Sequence, residues 1–149
     1  MQSGFDYFLS LEQDIIPPPN IIERLLIHNK AVISGLYYKH SSRRRAALPM
    51  VIIGDKNMCK EKPTCGRRAQ ISEIQEPKLM ETLCPGVGCM LIKREVLEKV
   101  CFRYERNHRA FDDVYFCEDA RAAGYKIFCD TSVVCDHWDL GTDWTMIRK

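Results

Sequence analysis

The sequence has no apolar run long enough to cross a bilayer. A membrane-spanning helix needs about 20 consecutive apolar residues, and no stretch of this 149-residue chain approaches that length. The N-terminus also lacks the basic segment followed by an apolar one that marks an exported protein. These two absences predict a protein with no transmembrane segment, and we expect it to be cytoplasmic.

Charge of one sign is also scarce. The 22 basic and 20 acidic residues leave a formal net charge of +2, which is too small to imply nucleic acid or a membrane surface as a partner. Arginines cluster locally at residues 43–45 and 67–68, and we interpret both clusters as solvated loops. A less favoured reading is a zinc-stapled nucleic-acid module that uses these arginines with Cys59 and Cys65. The five-residue gap between those cysteines exceeds the usual zinc-knuckle spacing.

The chain contains eight cysteines but no export signal, so a disulfide framework is not predicted. Cys117, Cys129 and Cys135 sit within apolar patterns, and we expect reduced, mostly buried thiols. There is no internal repeat and no low-complexity segment. The length suits one domain over residues 1–149 with a core of its own.

An acidic pair and three prolines end the apolar stretch at the N-terminus. Residues 5–11 read as a strand that leads into Glu12 and Asp14, and residues 17–19 are prolines, which have no N–H to extend a ladder. Because side chains alternate along a strand, we expect Glu12 and Asp14 to point the same way. Two carboxylates on one face suit a divalent cation. Open α/β sheets bind their ligands at the carboxyl ends of strands, so this position agrees with that chemistry.

Helical and extended patterns alternate along the rest of the chain. Helices are predicted over residues 20–29, 94–100 and 111–124, and strands over residues 31–38, 48–54, 70–74, 89–92 and 125–130. Residues 133–138 complete the apolar part of the chain. The turn at Gly86 and Gly88 would let the backbone approach a ligand closely, although a plain tight turn needs the same residues. The alternation predicts an α/β fold with a mostly parallel mixed sheet flanked by helices.

Together these segments resemble the second half of a GT-A fold glycosyltransferase of the family 2 type. The matching stretches are FLSLEQDIIPPP (residues 8–19), which looks like the family's FLDxDxxPP metal motif, SGLYY (34–38), GVGCMLIKREVLEKV (86–100), FDDVYFC (111–117) and ARAAGYKI (120–127). Their order and spacing across residues 5–138 make the set more specific than any one of them.

The resemblance implies the transfer of a sugar from a nucleotide-sugar donor to a hydroxyl acceptor, with Mn²⁺ or Mg²⁺ binding the donor's diphosphate. By this likeness Asp14 is the direct metal ligand, Glu12 faces the ribose or the metal, and His137 is a further candidate ligand. A hydrogen-bonded histidine without a metal is the alternative for His137. Glu12 departs from the family pattern, which has aspartate at that position, but either carboxylate suits these ions.

The pair at residues 112–113 is similar to the family's ED motif. The resemblance implies that Asp113 is the general base that takes the proton of the acceptor hydroxyl, while Asp112 caps the helix; a purely capping role for both is the alternative. The turn carrying Gly86 and Gly88 would line the donor and acceptor cleft. Tyr115 stands where many relatives have another acid.

The family's nucleotide-binding front half would precede the metal motif, yet only four residues come before Phe5. We therefore expect the strand at residues 5–12 to present an apolar edge that needs cover. A partner chain, a second copy of this chain or the rest of a longer protein could supply it. The alternative function is a catalytically inactive GT-A-derived module for binding or assembly that needs a partner chain.

Overall fold

The structure is a computed structural model that describes residues 4–41, 46–54, 66–104 and 111–138. The arginines at 43–45, Cys59 and Cys65 lie outside these residues. The described strands are β1 (Tyr7–Leu11), β2 (Ile15–Ile16), β3 (Val32–Leu36), β4 (Tyr38–Ser41), β5 (Ala46–Pro49), β6 (Val51–Gly54), β7 (Gly66–Arg68), β8 (Leu79–Thr82), β9 (Cys84–Pro85), β10 (Cys89–Lys93), β11 (Ile127–Val134) and β12 (Asp136–His137). The described helices are α1 (Ile21–Leu26), α2 (Ile71–Ile74), α3 (Arg94–Leu97) and α4 (Asp112–Ala122).

The main sheet is mixed and has five strands in the order β1-β10-β3-β11-β8. Within the described strands, only β3 and β11 pair in parallel; β10 runs antiparallel to both β1 and β3, and β8 runs antiparallel to β11. The prediction of a mostly parallel sheet is therefore wrong. The alternation of strand and helix correctly implied that β1 and β3 run in the same direction, but it could not reveal that β10 inserts between them.

Two buried clusters lie on opposite sides of β10, and one helix contributes side chains to each. Alternate side chains of β10 face opposite ways: Met90 and Ile92 pack with Phe116 of α4, and Leu91 packs with Leu25 of α1. Leu25, Phe116 and Ile92 are fully buried. The described elements are nevertheless mostly strands, since α4, the longest helix among them, has 11 residues. No helix in the described part of the chain is long and apolar enough to cross a membrane.

Local predictions hold for most elements and fail at residues 70–74, which form helix α2 rather than a strand. The Glu73 carboxylate accepts the backbone N–H of Gln70 at 2.8 Å, and this closes the first turn of a helix. Five of the six described cysteines are buried, including Cys117, Cys129 and Cys135, and all six are free thiols.

The arginines at 67 and 68, on β7, are engaged within the chain. Arg67 donates to both carboxylate oxygens of Glu73, at 2.7 Å each. Arg68 donates to the carbonyl oxygen of Pro49 at 2.7 Å. These contacts hold the two guanidinium groups against the protein.

Candidate functional site

The strands β1, β3 and β11 run in the same direction, so their carboxyl ends lie at the same end of the main sheet. The chain leaves β1 at Leu11 and turns at once: the Ile15 N–H donates to the Glu12 carbonyl at 3.1 Å. Glu12 and Asp14 therefore lie in a turn and not on a continuous strand, so strand alternation was the wrong reason to group them. The structure still brings them to one site.

Asp14 and His137 are held side by side by the pairing of β2 with β12. Ile15 lies opposite His137 in that pair, and the Trp138 N–H donates to the Asp14 carbonyl at 2.8 Å. Their side chains meet with His137 Nε2 3.3 Å from Asp14 Oδ2. The histidine is nearly buried, with 11% of its side chain exposed, whereas that of Asp14 is 33% exposed. A ligand can therefore reach this pair from the Asp14 side.

The second ring nitrogen of His137, Nδ1, determines which nitrogen of the imidazole carries the hydrogen. His137 Nδ1 lies 2.9 Å from the backbone oxygen of Tyr38, and a carbonyl oxygen can only accept, so Nδ1 carries a hydrogen. In the neutral imidazole, Nε2 then presents a lone pair to a carboxylate oxygen. Two acceptors facing each other need a cation between them, either a second proton on the ring or a metal ion. A carbonyl that fixes the tautomer in this way is the usual neighbour of a metal-binding histidine.

The donor set of this pair suits Mn²⁺ or Mg²⁺. Adjacent ligands of an octahedral ion with bonds of about 2.1 Å lie about 3.0 Å apart, and the two donor atoms here are 3.3 Å apart. No three His, Cys, Asp or Glu side chains within the described ranges are arranged to hold a metal by themselves. Ions of this kind often take only one or two protein ligands and complete their shell with phosphate oxygens and water. A cation held by this pair would therefore need further ligands from outside the chain.

Glu12 lies beside this pair, and its surroundings disfavour its negative charge. Its backbone N–H donates to the Gly88 carbonyl at 3.1 Å, which ties the turn after β1 to the glycine turn before β10. Burial is the largest cause that raises the pKa of Glu12, followed by the negative charges of Asp14 and Asp113; His137 opposes them. Carboxylates from two distant parts of the sequence thus share one region of negative potential, which favours a cation.

Asp113 lies in the first turn of α4, within electrostatic range of Glu12. Its Oδ1 accepts the Val114 N–H at 2.7 Å, and Asp112 Oδ1 accepts the Asp113 N–H at 3.1 Å. Both carboxylates therefore bind N–H groups of the first turn. The N-cap position itself belongs to Phe111, which makes no capping bond with its side chain, so the assignment of Asp112 as the cap is wrong. Burial raises the pKa of Asp113, although the Val114 hydrogen bond opposes it.

The glycine turn is packed against Tyr37, a residue that the sequence reasoning did not assign to the site. A Cβ at Gly86 would overlap the Tyr37 hydroxyl, and one at Gly88 would lie 2.9 Å from Tyr37 Cζ. The close approach that these glycines permit is thus to a tyrosine of the same chain, and their contact with a donor stays a prediction. Burial is the main cause that raises the pKa of Tyr37, with the charges of Glu12 and Asp113 adding to it. No signal in the sequence distinguished Tyr37 from a core aromatic residue.

Solved structures, but no known protein family and no curated protein, match this chain. The chain is similar in fold to A197 from STIV. That crystal structure aligns with a TM-score of 0.53 and 19% sequence identity over 90% of this chain. The aligned part is 58% of the A197 chain, so this chain spans less than two thirds of its length. At this identity the likeness supports the α/β fold with a mixed sheet and carries no function.

A cavity of about 360 Å³ opens next to His137. It lies between β4 and β5 on one side and the segment from β11 to Trp138 on the other, and its lining includes Tyr38, Asp136 and Trp138. Its volume falls within the range of small-molecule sites. A ligand bound at the Asp14–His137 pair would have room for a neighbouring group here.

Proposed function

We propose that this chain is the catalytic half of a GT-A fold glycosyltransferase of the family 2 type, which transfers a sugar from a nucleotide-sugar donor to a hydroxyl acceptor with Mn²⁺ or Mg²⁺. The observation that carries the proposal is the contact between Asp14 and His137, in which a carboxylate faces one ring nitrogen of a histidine whose other ring nitrogen lies against the Tyr38 carbonyl. The likeness to A197 concerns the α/β fold with a mixed sheet and does not bear on this activity, since the aligned identity is 19%.

In this proposal Asp14 and His137 hold the cation, with Glu12 beside them. The ion, when bound, stabilises the negative charge that develops on the departing nucleoside diphosphate. Glu12 has a second role in the family, contact with the ribose, and its place at the edge of the turn allows either. The repulsion of Glu12 by Asp14 and Asp113 is relieved when a positive charge binds beside them.

Asp113 is the proposed general base. Its carboxylate takes the proton of the acceptor hydroxyl while the hydroxyl oxygen forms a bond to the anomeric carbon. The bond from that carbon to the diphosphate oxygen breaks, and the leaving group departs with its electron pair. Burial raises the pKa of Asp113, which makes it a stronger base than an ordinary aspartate. The Val114 N–H orients the carboxylate through Oδ1.

Titration of Mn²⁺ tests the metal pair. The loss of the free Mn²⁺ signal in electron paramagnetic resonance would be followed with the wild type, Asp14→Asn and Asp136→Asn, each with and without a panel of nucleoside diphosphates. We expect saturable binding that strengthens with a diphosphate and falls at least about tenfold in Asp14→Asn. In Asp136→Asn the affinity for Mn²⁺ alone should change less than in Asp14→Asn, because Asp136 is exposed and lines only the neighbouring cavity. Absence of saturable binding by the wild type in any mixture would remove this function.

Turnover tests Asp113 separately. Donor hydrolysis or transfer in Asp113→Asn should fall by about 10²–10⁴-fold, the usual contribution of a general base, while Mn²⁺ affinity stays close to that of the wild type. Asp112→Asn is the matched control, because it changes the adjacent, exposed carboxylate of the same turn. Equal losses of rate in the two variants would show that the pair serves the helix and not the chemistry.

A second candidate is a catalytically inactive module that binds or assembles through a partner chain. The observation in its favour is the position of β1 at the edge of the main sheet, where it pairs with β10 on one side and with no other described strand. Phe8 and Leu11 on this strand are 43% and 46% exposed. Such a module would keep the fold and show no turnover with any donor.

A further inference from the structure

Tyr37 occupies the centre of the candidate site without being assigned a role there. It follows β3 directly, and it is 4% exposed. Its ring meets the ring of His137 edge-on, with centroids 5.5 Å apart and an interplanar angle of 69°. Its hydroxyl oxygen accepts the backbone N–H of Gly88 at 3.3 Å. One side chain therefore touches both the candidate metal ligand on β12 and the glycine turn before β10.

The contact with Gly88 reaches Glu12 through a single residue. Gly88 gives its N–H to the Tyr37 hydroxyl and accepts the Glu12 N–H on its carbonyl oxygen. The Tyr37 hydroxyl thus fixes the glycine that in turn fixes the backbone of Glu12. On the other side, the ring edge and the Tyr38 carbonyl together set the orientation of the His137 imidazole.

Packing alone does not account for this arrangement. A phenylalanine would fill the same buried volume with no polar atom to satisfy, and burial of a hydroxyl costs free energy unless it is hydrogen-bonded. The hydroxyl also requires glycine at two positions of the turn. A Cβ at Gly86 would overlap the Tyr37 hydroxyl, and one at Gly88 would lie 3.0 Å from it. The two glycines and the buried hydroxyl therefore connect the end of β3 to the turn before β10.

We propose that Tyr37 is a positioning residue for the metal site, holding His137 through its ring and Glu12 through its hydroxyl and Gly88. This inference rests on the proposed function, since it assigns Tyr37 a part in the binding of Mn²⁺ by Asp14 and His137 beside Glu12. The two contacts are separable: Tyr37→Phe removes the hydroxyl alone, and Tyr37→Leu removes the hydroxyl and the ring edge.

The experiment measures Mn²⁺ affinity and the coupling of bound Mn²⁺ to histidine nitrogen by pulsed electron paramagnetic resonance, with the protein labelled with ¹⁵N in histidine. Tyr37→Phe should bind Mn²⁺ about tenfold more weakly, the lower end of the usual effect of an outer-shell partner, and should keep the nitrogen coupling. Tyr37→Leu should lose the coupling as well. Tyr125→Phe is the matched control, because it removes a hydroxyl that also bonds to backbone, the Glu95 carbonyl at 3.1 Å, outside the site. Its affinity should equal that of the wild type.

The outcomes separate this inference from the proposed function. If the wild type binds no Mn²⁺, the proposed function fails and the role of Tyr37 fails with it. If the wild type binds Mn²⁺ and Tyr37→Phe binds it equally well, the metal site stands and the positioning role of the hydroxyl is overturned. A nitrogen coupling unchanged in a folded Tyr37→Leu overturns the role of the ring. Circular dichroism reports whether that variant folds, and Tyr37→Phe decides the hydroxyl role independently of it.

Discussion

At the scale of single residues, the negative charge of Glu12 lowers the free energy of unfolding of the chain. Its pKa in the folded chain lies above the ordinary value of 4.5, first because of burial and then because of Asp14 and Asp113. A carboxyl group whose pKa is higher when folded binds its proton better in the folded state. Its contribution to the free energy of unfolding therefore decreases as the pH rises from 4.5 through the folded pKa.

The first prediction follows from that sign. Glu12→Gln should raise the melting temperature at pH 7 by about 1–2 °C, because it removes a charge that its neighbours repel, and the gain should disappear below pH 4.5, where Glu12 is protonated in both states. Saturating Mn²⁺ should reverse the order, since the wild type gains more from binding. Glu76→Gln, at an exposed position on the surface, is the control, and a lower melting temperature for Glu12→Gln at pH 7 would contradict the account.

The residues of the site could be foreseen to different degrees. The family likeness named Glu12, Asp14, Asp113 and His137, and the structure places the other three within electrostatic range of Glu12. Tyr37 could not be found that way, because an aromatic residue after an apolar strand reads as core, and it is indeed buried. What makes it part of the site is the packing of three separate segments around it, which no local pattern encodes.

At the scale of elements, helix α1 is fastened to β11 by a buried carboxylate. Asp130 on β11 is 5% exposed; its Oδ1 accepts from the Ser132 N–H and hydroxyl at 2.9 and 2.6 Å, and its Oδ2 contacts His28 Nε2 at 2.8 Å. His28 follows the end of α1. Burial would raise the pKa of Asp130, but the hydrogen bonds from Ser132 and His28 outweigh it and hold that pKa below its ordinary value.

A depressed pKa gives the opposite pH dependence. Stability from Asp130 is present above its unfolded pKa of 3.8 and is lost as the pH falls through the folded value. Asp130→Asn should lower the free energy of unfolding by about 2 kcal/mol at pH 7, and the difference from the wild type should shrink at pH 3. Urea unfolding at the two pH values measures this, with the exposed Asp6→Asn as control. An equal loss at both pH values would mean that shape, and not charge, matters at this position.

The sequence predicted element boundaries well where local signals mark both ends of an element. It predicted them poorly where pairing with distant strands determines where a strand ends. Helix α4 was expected over residues 111–124 and spans Asp112–Ala122, because acidic residues open it and a glycine follows its end. The strand expected over residues 48–54 divides into β5 and β6 at Met50. These two strands join different sheets, β5 with β4 and β6 with β7 and β9, and the choice of pairing partner is not written in local alternation.

At the scale of the whole molecule, one edge of the main sheet exposes several apolar side chains. Strand β1 forms this edge, and Phe5, Phe8 and Leu11 on or beside it are 51%, 43% and 46% exposed. An edge with exposed apolar side chains and unpaired backbone groups is a template for another strand. The carboxyl end of this same strand carries Glu12 and Asp14, so whatever covers the edge also borders the candidate site.

We therefore predict that the chain self-associates in solution through β1 when no partner covers that edge. Sedimentation velocity across two decades of protein concentration should show a rising mean sedimentation coefficient. Phe8→Lys should suppress the rise, because a charge on an edge strand opposes pairing with a second copy. Ile27→Lys is the matched control: Ile27 is 81% exposed and lies outside β1, beyond the end of α1, so this variant should associate like the wild type.

A single monomeric species at every concentration would contradict the prediction. Equal suppression by both variants would assign the association to general surface hydrophobicity rather than to the edge of the sheet.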